Sequence, residues 1–167
     1  TVYEKNGMHA NGSTGVAVLR RDGFVSYSAQ KEKGTLVTRP VTFTGEYLFV
    51  NVNCPNGELK VEVLDADNKV IQGFSANDCK PLTVDSTIAQ IRWKNKKDLS
   101  TLKSQPVRFK FYLTNGDLYS FWVSPDTEGA SNGYNAAGGP GFSGGIDKEG
   151  MRAYKKAQDF PNLLERC

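Results

Sequence analysis

The chain has 167 residues, enough for one domain with a hydrophobic core and too few for two of ordinary size. It contains 21 Lys and Arg residues and 18 Asp and Glu residues, and the resulting net charge of +3 is too weak to indicate binding to nucleic acid. No apolar run comes near the about 18 residues of a membrane-spanning helix, so we expect no membrane insertion.

Alternating apolar and polar residues dominate from about residue 15 to residue 124. The first predicted strands, 16–20 and 24–29, flank a tight turn at Arg21-Asp22-Gly23, in which we expect the glycine to supply a positive φ. The next predicted strand covers 35–43, where Pro40 indicates an edge position or a bulge.

The middle of the chain has clear period-two patterns. Residues 47–53 alternate, and a strong turn signal at Pro55-Asn56-Gly57 separates them from a second alternating strand over 59–63. The turn at 65–68 resembles the opening of a calcium loop, but it lacks the glycine and the final glutamate of such a loop, which favours a plain hairpin turn. We therefore expect no cofactor, with a structural Ca²⁺ elsewhere in the sandwich as an open alternative.

Further strands follow at regular spacing. One is predicted over 88–94, a single turn over 99–102, and the clearest inward-facing pattern over 107–113. Asn115-Gly116-Asp117 is expected to close a hairpin into a last strand at 118–123. About nine short strands with turn signals between them indicate an all-β fold, an antiparallel, jelly-roll-like β-sandwich.

The character of the sequence changes after Ser124. Residues 125–146 hold seven glycines and form a predicted Gly-rich loop, while 147–159 is compatible with a short helix that Pro161 would end. The predicted organisation is a sandwich domain over 1–124, the Gly-rich loop over 125–146, and a short helical tail over 147–167. We expect the tail to pack on the sandwich or on a partner.

The three cysteines leave two alternatives open. Cys54 and Cys79 lie in or beside loops at a separation that a disulfide could bridge, or they are two separate reduced thiols. Cys167 is then a spare thiol or the partner of another part of the protein. No CxxC pair is present to suggest a zinc site.

Catalytic residue types are few and scattered. His9, the only histidine, precedes the first predicted strand, so no nucleophile has an obvious histidine base. The acidic residues fall mainly in turns or on outward strand faces, whereas a glycosidase needs two converging carboxylates. A non-enzymatic protein is the leading interpretation, and a small glycan hydrolase is the weakest of the alternatives.

Aromatic residues exceed what one small core needs, with nine Phe, seven Tyr and two Trp. Sugar rings pack on exposed aromatic rings beside hydrogen-bonding groups, so surplus aromatics favour binding of carbohydrate. Trp122 points opposite to Tyr119, Phe121 and Val123, so only one of the two sets faces the core. The candidate carbohydrate-binding residues are Arg108, Lys110, Tyr112, Trp122 and Tyr134. Packing beneath a loop or the tail is the alternative for each of them.

The order of short motifs is also informative. They are Val18-Leu19-Arg20-Arg21-Asp22-Gly23-Phe24, Gly34-Thr35-Leu36-Val37-Thr38-Arg39-Pro40, Leu48-Phe49-Val50-Asn51, Leu59-Lys60-Val61-Glu62-Val63-Leu64-Asp65, Gly73-Phe74-Ser75 with Asp78-Cys79, Ile91-Arg92-Trp93-Lys94 with Asp98-Leu99-Ser100, Pro106-Val107-Arg108-Phe109 and Leu118-Tyr119-Ser120-Phe121. Together they resemble the C-terminal β-sandwich attached to five-bladed β-propeller glycoside-hydrolase-like proteins of the glycosidase, fructosidase and arabinanase type. The resemblance spans roughly residues 7–124.

This resemblance implies a non-catalytic accessory module of a secreted or periplasmic, mostly bacterial protein. The catalytic carboxylates of such proteins belong to the propeller, so no catalytic residue is carried over, and Trp93, Tyr119 and Phe121 are expected in the core. The implied partners are a polysaccharide or oligosaccharide and a catalytic β-propeller domain. A structural docking domain that binds no glycan is the alternative.

Overall fold

The computed structural model describes residues 15, 19–134 and 141–158, and these contain seven strands, one 3-10 turn and one helix. The strands are β1 (Tyr27–Ala29), β2 (Gly34–Val37), β3 (Tyr47–Asn53), β4 (Glu58–Leu64), β5 (Asp85–Gln90), β6 (Arg108–Thr114) and β7 (Gly116–Ser124). The 3-10 turn is Ser100–Leu102, and the helix, α1, is Met151–Gln158.

Two antiparallel sheets stack as a sandwich. One has four strands in the order β1-β7-β3-β5, and the other has three in the order β2-β6-β4. The all-β sandwich is therefore confirmed. The described residues form seven strands where about nine were expected and where a full jelly roll has about eight.

Side chains from both sheets fill the space between them, as the alternation predicts. Phe109 packs centrally, because its ring lies 5.8–5.9 Å from the rings of Phe43 and Phe121, centroid to centroid. Trp93 is buried as expected, with its indole N–H donating to the carbonyl oxygen of Val61 at 3.0 Å. The clearest sequence pattern is confirmed in full, since its four apolar residues are buried: Val107, Phe109, Phe111 and Leu113.

The predicted hairpin at Asn115-Gly116-Asp117 is wrong. β6 and β7 belong to different sheets, so this tight connection is a corner that carries the chain from one sheet to the other. Asn115 has a φ of 45°, and its N–H donates to the carbonyl oxygen of Gln30 at 2.8 Å. A left-handed asparagine suits a two-strand hairpin and a corner equally well.

A second corner, Pro55-Asn56-Gly57, connects β3 to β4 in the same way. The two corners pack backbone against backbone, because a Cβ on Gly57 would overlap the carbonyl oxygens of Thr114 and Asn115. Likewise, a Cβ on Gly116 would lie 2.6 Å from the carbonyl oxygen of Asn53. Glycine is required at both corners, which makes this end of the sandwich a rigid frame.

A bulge in β7 overturns the expected burial of Tyr119. Asn51 pairs with Ser120 but Val52 pairs with Leu118, so Tyr119 is the extra residue. Leu118 and Phe121 consequently both face the core, while the ring of Tyr119 packs under the guanidinium of Arg20 outside it.

Two other local expectations need correction. In the turn after Arg20 the positive φ of 49° belongs to Asp22, whereas Gly23 closes the turn by donating to the carbonyl oxygen of Arg20. The predicted strand 35–43 is β2 followed by a single bridge from Val41 to Val107, because Pro40 has no N–H with which to continue the ladder. Residues 16–18 of the first predicted strand lie outside the described residues.

The described residues of 125–158, which comprise the Gly-rich loop and α1 and are called the tail from here on, pack on the outer face of the four-stranded sheet. Gly129, with a φ of 77°, lies against the ring of Phe49, and Tyr154 of α1 shares a 2.7 Å hydrogen bond with Thr87 of β5. Phe49 is completely buried although it points away from the sandwich core. The helix begins at Met151 rather than at 147, and its predicted extension past Gln158 lies outside the described residues.

Cys54 and Cys79 are two buried free thiols, not a disulfide. The thiol of Cys54 donates to the carbonyl oxygen of Leu82 at 3.3 Å, and the sulfur of Cys79 accepts from the N–H of Val61 at 3.3 Å. Each thiol therefore has its own backbone partner in a different part of the core.

Candidate functional site

Three of the five candidate carbohydrate-binding residues lie together on the outer face of the three-stranded sheet. Arg108, Lys110 and Tyr112 alternate with the buried residues of β6 and therefore share its outward side. We define the Tyr112 face as these three residues with Glu58, Lys60 and Glu62 of β4 and Lys33 before β2. Register places Glu62 opposite Lys110 and Lys60 opposite Tyr112.

Tyr112 is the centre of this face. Its hydroxyl donates to Glu62 Oε1 at 2.6 Å, and Lys110 Nζ lies 3.2 Å from the same oxygen. The ammonium groups of Lys110 and Lys33 lie 4.9 Å and 5.0 Å from the centroid of the tyrosine ring, within the range of cation–π attraction. One aromatic ring thus lies beside a carboxylate and two ammonium groups.

The ionisation of Glu62 is set by its neighbours. Burial acts to raise the pKa of this carboxyl, but hydrogen bonds from Tyr112 and Lys110 outweigh burial and lower the pKa. Burial and the same carboxylate raise the pKa of Tyr112. Glu62 is therefore an ionised hydrogen-bond acceptor at neutral pH, and Tyr112 is a neutral donor.

The rest of the Tyr112 face carries a surplus of positive charge. Lys60 Nζ lies 3.1 Å from Glu58 Oε1, and Arg108 Nη1 donates to the carbonyl oxygen of Thr38 at 3.1 Å. Arg108 Nε is buried, and it has no hydrogen-bond partner among the described residues. With Lys33 and Lys110 there are four cationic side chains against the two glutamates, so the face favours an anionic ligand.

The other two candidates are elsewhere. Trp122 lies beneath the tail, with its ring stacked 5.9 Å from the ring of Phe49 and its indole N–H bonded to the carbonyl oxygen of Gly129 at 3.0 Å. Tyr134 is 87% exposed and pairs with Ile146 in a bridge within the tail. Neither joins the Tyr112 face, because the tail occupies the opposite side of the sandwich.

A pair of arginines holds the N-terminal turn on the four-stranded sheet, and this pair was not singled out from the sequence as a functional feature. Arg20 donates to Asn51 Oδ1 at 2.7 Å and to Asp85 Oδ1 at 2.6 Å. Arg21 donates to Asp147 Oδ2 at 2.7 Å, and its guanidinium lies over the ring of Phe142. Both contacts join segments that are distant along the chain, which a single sequence does not reveal.

Asp147 organises the start of α1. Its Oδ1 accepts from the N–H groups of Glu149 and Gly150, and its Oδ2 accepts from Ser131 and Arg21. Burial acts to raise the pKa of this carboxyl, but the hydrogen bonds from Gly150, Arg21 and Ser131 lower it below its ordinary value. The role of this carboxylate is structural: it closes the tail over the sheet.

A cleft of about 460 Å³ lies at the end of the sandwich where the two corners meet. Its polar lining comprises Ser28, Gln30, Asn53, Asn56, Asn115 and Asp117, which we call the amide cleft. From the sequence, Asn56 and Asn115 were predicted as turn residues and Asn53 as the last residue of a strand. Their clustering depends on the crossing of the chain between sheets, which local patterns did not predict.

Among the described residues, no three His, Cys, Asp or Glu side chains come together as metal ligands. The carboxylate of Asp65 accepts hydrogen bonds from the N–H groups of Asp67 and Lys69, as expected for a plain turn. In the described chain no helix combines the length and the apolar character needed to cross a membrane. His9 and Cys167 lie outside the described residues.

Comparisons with protein-family models, with curated proteins and with solved structures find no match to this chain. The resemblance to the sandwich of propeller proteins therefore stays an expectation from the sequence. The function must be inferred from the fold and from the side chains that it brings together.

Proposed function

We propose that this chain is a non-catalytic β-sandwich module that binds an acidic saccharide on the Tyr112 face. The observation that carries the proposal is the placement of one tyrosine ring between Glu62 and the ammonium groups of Lys33 and Lys110. One ligand can then reach three kinds of group. The aromatic ring packs on the C–H face of a sugar, the carboxylate accepts from its hydroxyls, and the cations pair with its acidic groups.

Lys33 can be displaced from the ring of Tyr112, because it is exposed, whereas Lys110 Nζ also lies 3.2 Å from Glu62 Oε1. The interaction of an exposed ammonium with an aromatic ring contributes only about 0.5–1 kcal/mol, so a sugar can displace it at small cost. The displaced ammonium is then free to pair with a carboxylate or sulfate of the ligand. Lys33 is exposed on the loop before β2, which makes it the more easily displaced of the two.

The tail explains why this face is the better candidate of the two outer faces. Gly129 and α1 lie over Phe49 and Ile88 on the four-stranded sheet. The described part of the tail does not lie over the three-stranded sheet, whose outward side chains are charged or polar with the exceptions of Val37 at its edge and the buried Leu64 at the end of β4. A charged sheet face is suited to a hydrated ligand such as a glycan.

Titration calorimetry tests the proposal with hexagalacturonate and a hyaluronan hexasaccharide as probes. We expect binding that weakens as salt rises, because exposed charges are screened. Lys33→Ala removes one cation from an exposed loop and should weaken binding several-fold without loss of stability. Tyr112→Ala should reduce binding further, and thermal unfolding would show whether that variant remains folded.

Tyr134→Ala is the matched control, because it removes an exposed tyrosine on the far side of the sandwich. It should bind as the parent does. If neither acidic probe binds, or if Tyr134→Ala weakens binding while Lys33→Ala does not, the Tyr112 face is not the binding site.

A docking domain is the second candidate, and one observation favours it. Phe24 and Val25 are 76% and 78% exposed, and they precede β1, which is an edge strand of the four-stranded sheet. Exposed apolar residues beside an open edge are typical of association sites. Light scattering over a range of concentrations should then show association that Phe24→Ser/Val25→Ser abolishes, whereas a monomer at all concentrations argues against docking to a second copy.

Attachment to a catalytic β-propeller, in a secreted or periplasmic protein, belongs to the same proposal. Its support is the order of motifs along residues 7–124. The test is the full-length polypeptide: a propeller preceding Thr1 would support the attachment, and an unrelated domain there would oppose it.

A further inference from the structure

We propose that the amide cleft is a second binding site, which takes a neutral polyhydroxylated ligand, a sugar residue without acidic groups. It differs from the Tyr112 face in position and chemistry and does not depend on it. The cleft contains one carboxylate, that of Asp117, and its polar lining has no lysine or arginine. A site of this composition offers hydrogen bonds in place of charge.

The walls of the cleft are rigid. Gly57 and Gly116 hold the two corners backbone against backbone, and the N–H of Asn115 is bonded to the carbonyl oxygen of Gln30. The side chains of Asn53, Asn56 and Asn115 therefore start from backbone positions that cannot readily move. A preorganised site loses little conformational entropy when a ligand binds.

The amide groups are available to a ligand. Within the described residues, no hydrogen bond engages the side chains of Gln30, Asn53, Asn56 or Asn115. Asp117 Oδ1, by contrast, accepts from the hydroxyls of Ser26 and Ser28, which fixes its orientation at one wall. Four residues whose side-chain amides have no hydrogen-bond partner in the described part of the chain thus line one concavity beside one oriented carboxylate.

This set matches the hydroxyl groups of a sugar. A primary amide presents an acceptor oxygen and a donor nitrogen side by side, so it can bond two neighbouring hydroxyls, each of which both donates and accepts. A carboxylate accepts from further hydroxyls with a strong, charge-assisted bond. The volume of about 460 Å³ is within the range of small-ligand sites.

Side-chain amide signals in ¹H–¹⁵N spectra provide the direct test. The full chain would be titrated with cellohexaose, xylohexaose, mannohexaose and maltohexaose. We expect at least one of these neutral probes to shift the side-chain NH₂ signals of Gln30, Asn53, Asn56 and Asn115. The amide of Asn77, on the loop between β4 and β5, should not shift.

Asn115→Gly is the informative variant, because glycine keeps the positive φ of 45° while it removes the amide. It should weaken binding about three- to ten-fold, as loss of one hydrogen bond does. Asn68→Gly is the matched control, since Asn68 has a φ of 63° beyond the far end of β4, about 20 Å away along the strand.

Three results would overturn the proposal. They are no binding of any neutral probe, binding that does not shift these amide signals, and an equal loss of affinity in Asn115→Gly and Asn68→Gly. The outcome is separable from that of the Tyr112 face. Lys33→Ala should leave neutral-probe binding unchanged, and Asn115→Gly should leave binding of hexagalacturonate unchanged, so either site can fail while the other stands.

Discussion

The guanidinium of Arg21 donates a 2.7 Å hydrogen bond to the carboxylate of Asp147, a side chain with no exposed surface. This pair joins the first described turn of the chain to the segment that starts α1. Asp147 also accepts from three backbone N–H groups, those of Ser131, Glu149 and Gly150. One buried carboxylate therefore ties together both ends of the described structure.

We expect Asp147→Asn to destabilise the protein by about 2–3 kcal/mol, because the amide removes the buried charge that pairs with Arg21 and directs an N–H toward other donors. Urea unfolding measures the effect. Glu46→Gln is the control: it removes a partly exposed ion pair with Lys103 and should cost less than about 1 kcal/mol. If both variants lose the same free energy of unfolding, Asp147 contributes no more to stability than a partly exposed ion pair does.

Stability should fall as the protein is acidified. The pKa values of Asp147 and Glu62 are lowered in the folded state from ordinary values of 3.8 and 4.5. Since the unfolded chain then binds more protons in acid, the stabilisation is complete above the ordinary values and is lost as pH falls through the lower, folded-state values.

Urea unfolding between about pH 6 and pH 3 measures this dependence. In Asp147→Asn and in Glu62→Gln one of the two titrating groups is absent, so the decline below about pH 4.5 should be shallower in each. If the free energy of unfolding falls as steeply with pH in both variants as in the parent, other carboxylates cause the loss of stability in acid.

Gly57→Ala should damage the fold. A Cβ at this position would overlap the backbone of the neighbouring corner, which cannot move without shifting β6 or β7. We expect a loss of about 3 kcal/mol or more by thermal or urea unfolding. Gly145→Ala, where a Cβ has open space, should change stability by less than about 1 kcal/mol. If the two alanine variants are equally stable, the corners are not rigidly packed.

The two core thiols should be unreactive in the native protein. Burial raises the pKa of both Cys54 and Cys79, and the thiolate is the reactive species. In a Cys167→Ser background, a thiol reagent should label neither cysteine quickly until denaturant is added, and then label both. An intact mass lower by two hydrogens would instead show a disulfide between them.

Alternation along the chain was sufficient to assign the inward residues of β3, β4 and β6. The period of two is a property of the backbone itself, and each of these strands has one continuous apolar face. Arg108, Lys110 and Tyr112 could therefore be placed together from the pattern of β6 alone. Their ring and carboxylate contacts needed Glu62 and Lys33, which come from other strands and loops.

Strand pairing was not assigned correctly by the same reasoning. Asn115-Gly116 has the chemistry of a hairpin, yet the chain crosses between sheets there, because turn residues specify only local dihedral angles. The burial of Tyr119 was mispredicted for a related reason, since the bulge that turns it outward depends on its register with β3.

The sequence by itself determined that this protein is an all-β sandwich with buried faces at every second residue, since that information is local and periodic. Only the tertiary structure decided that Trp122 lies under the tail, that Arg21 meets Asp147 and that four free amides share one cleft. These contacts join residues remote in sequence, and their energies depend on the docking of whole elements. Both proposed binding surfaces are formed by such contacts.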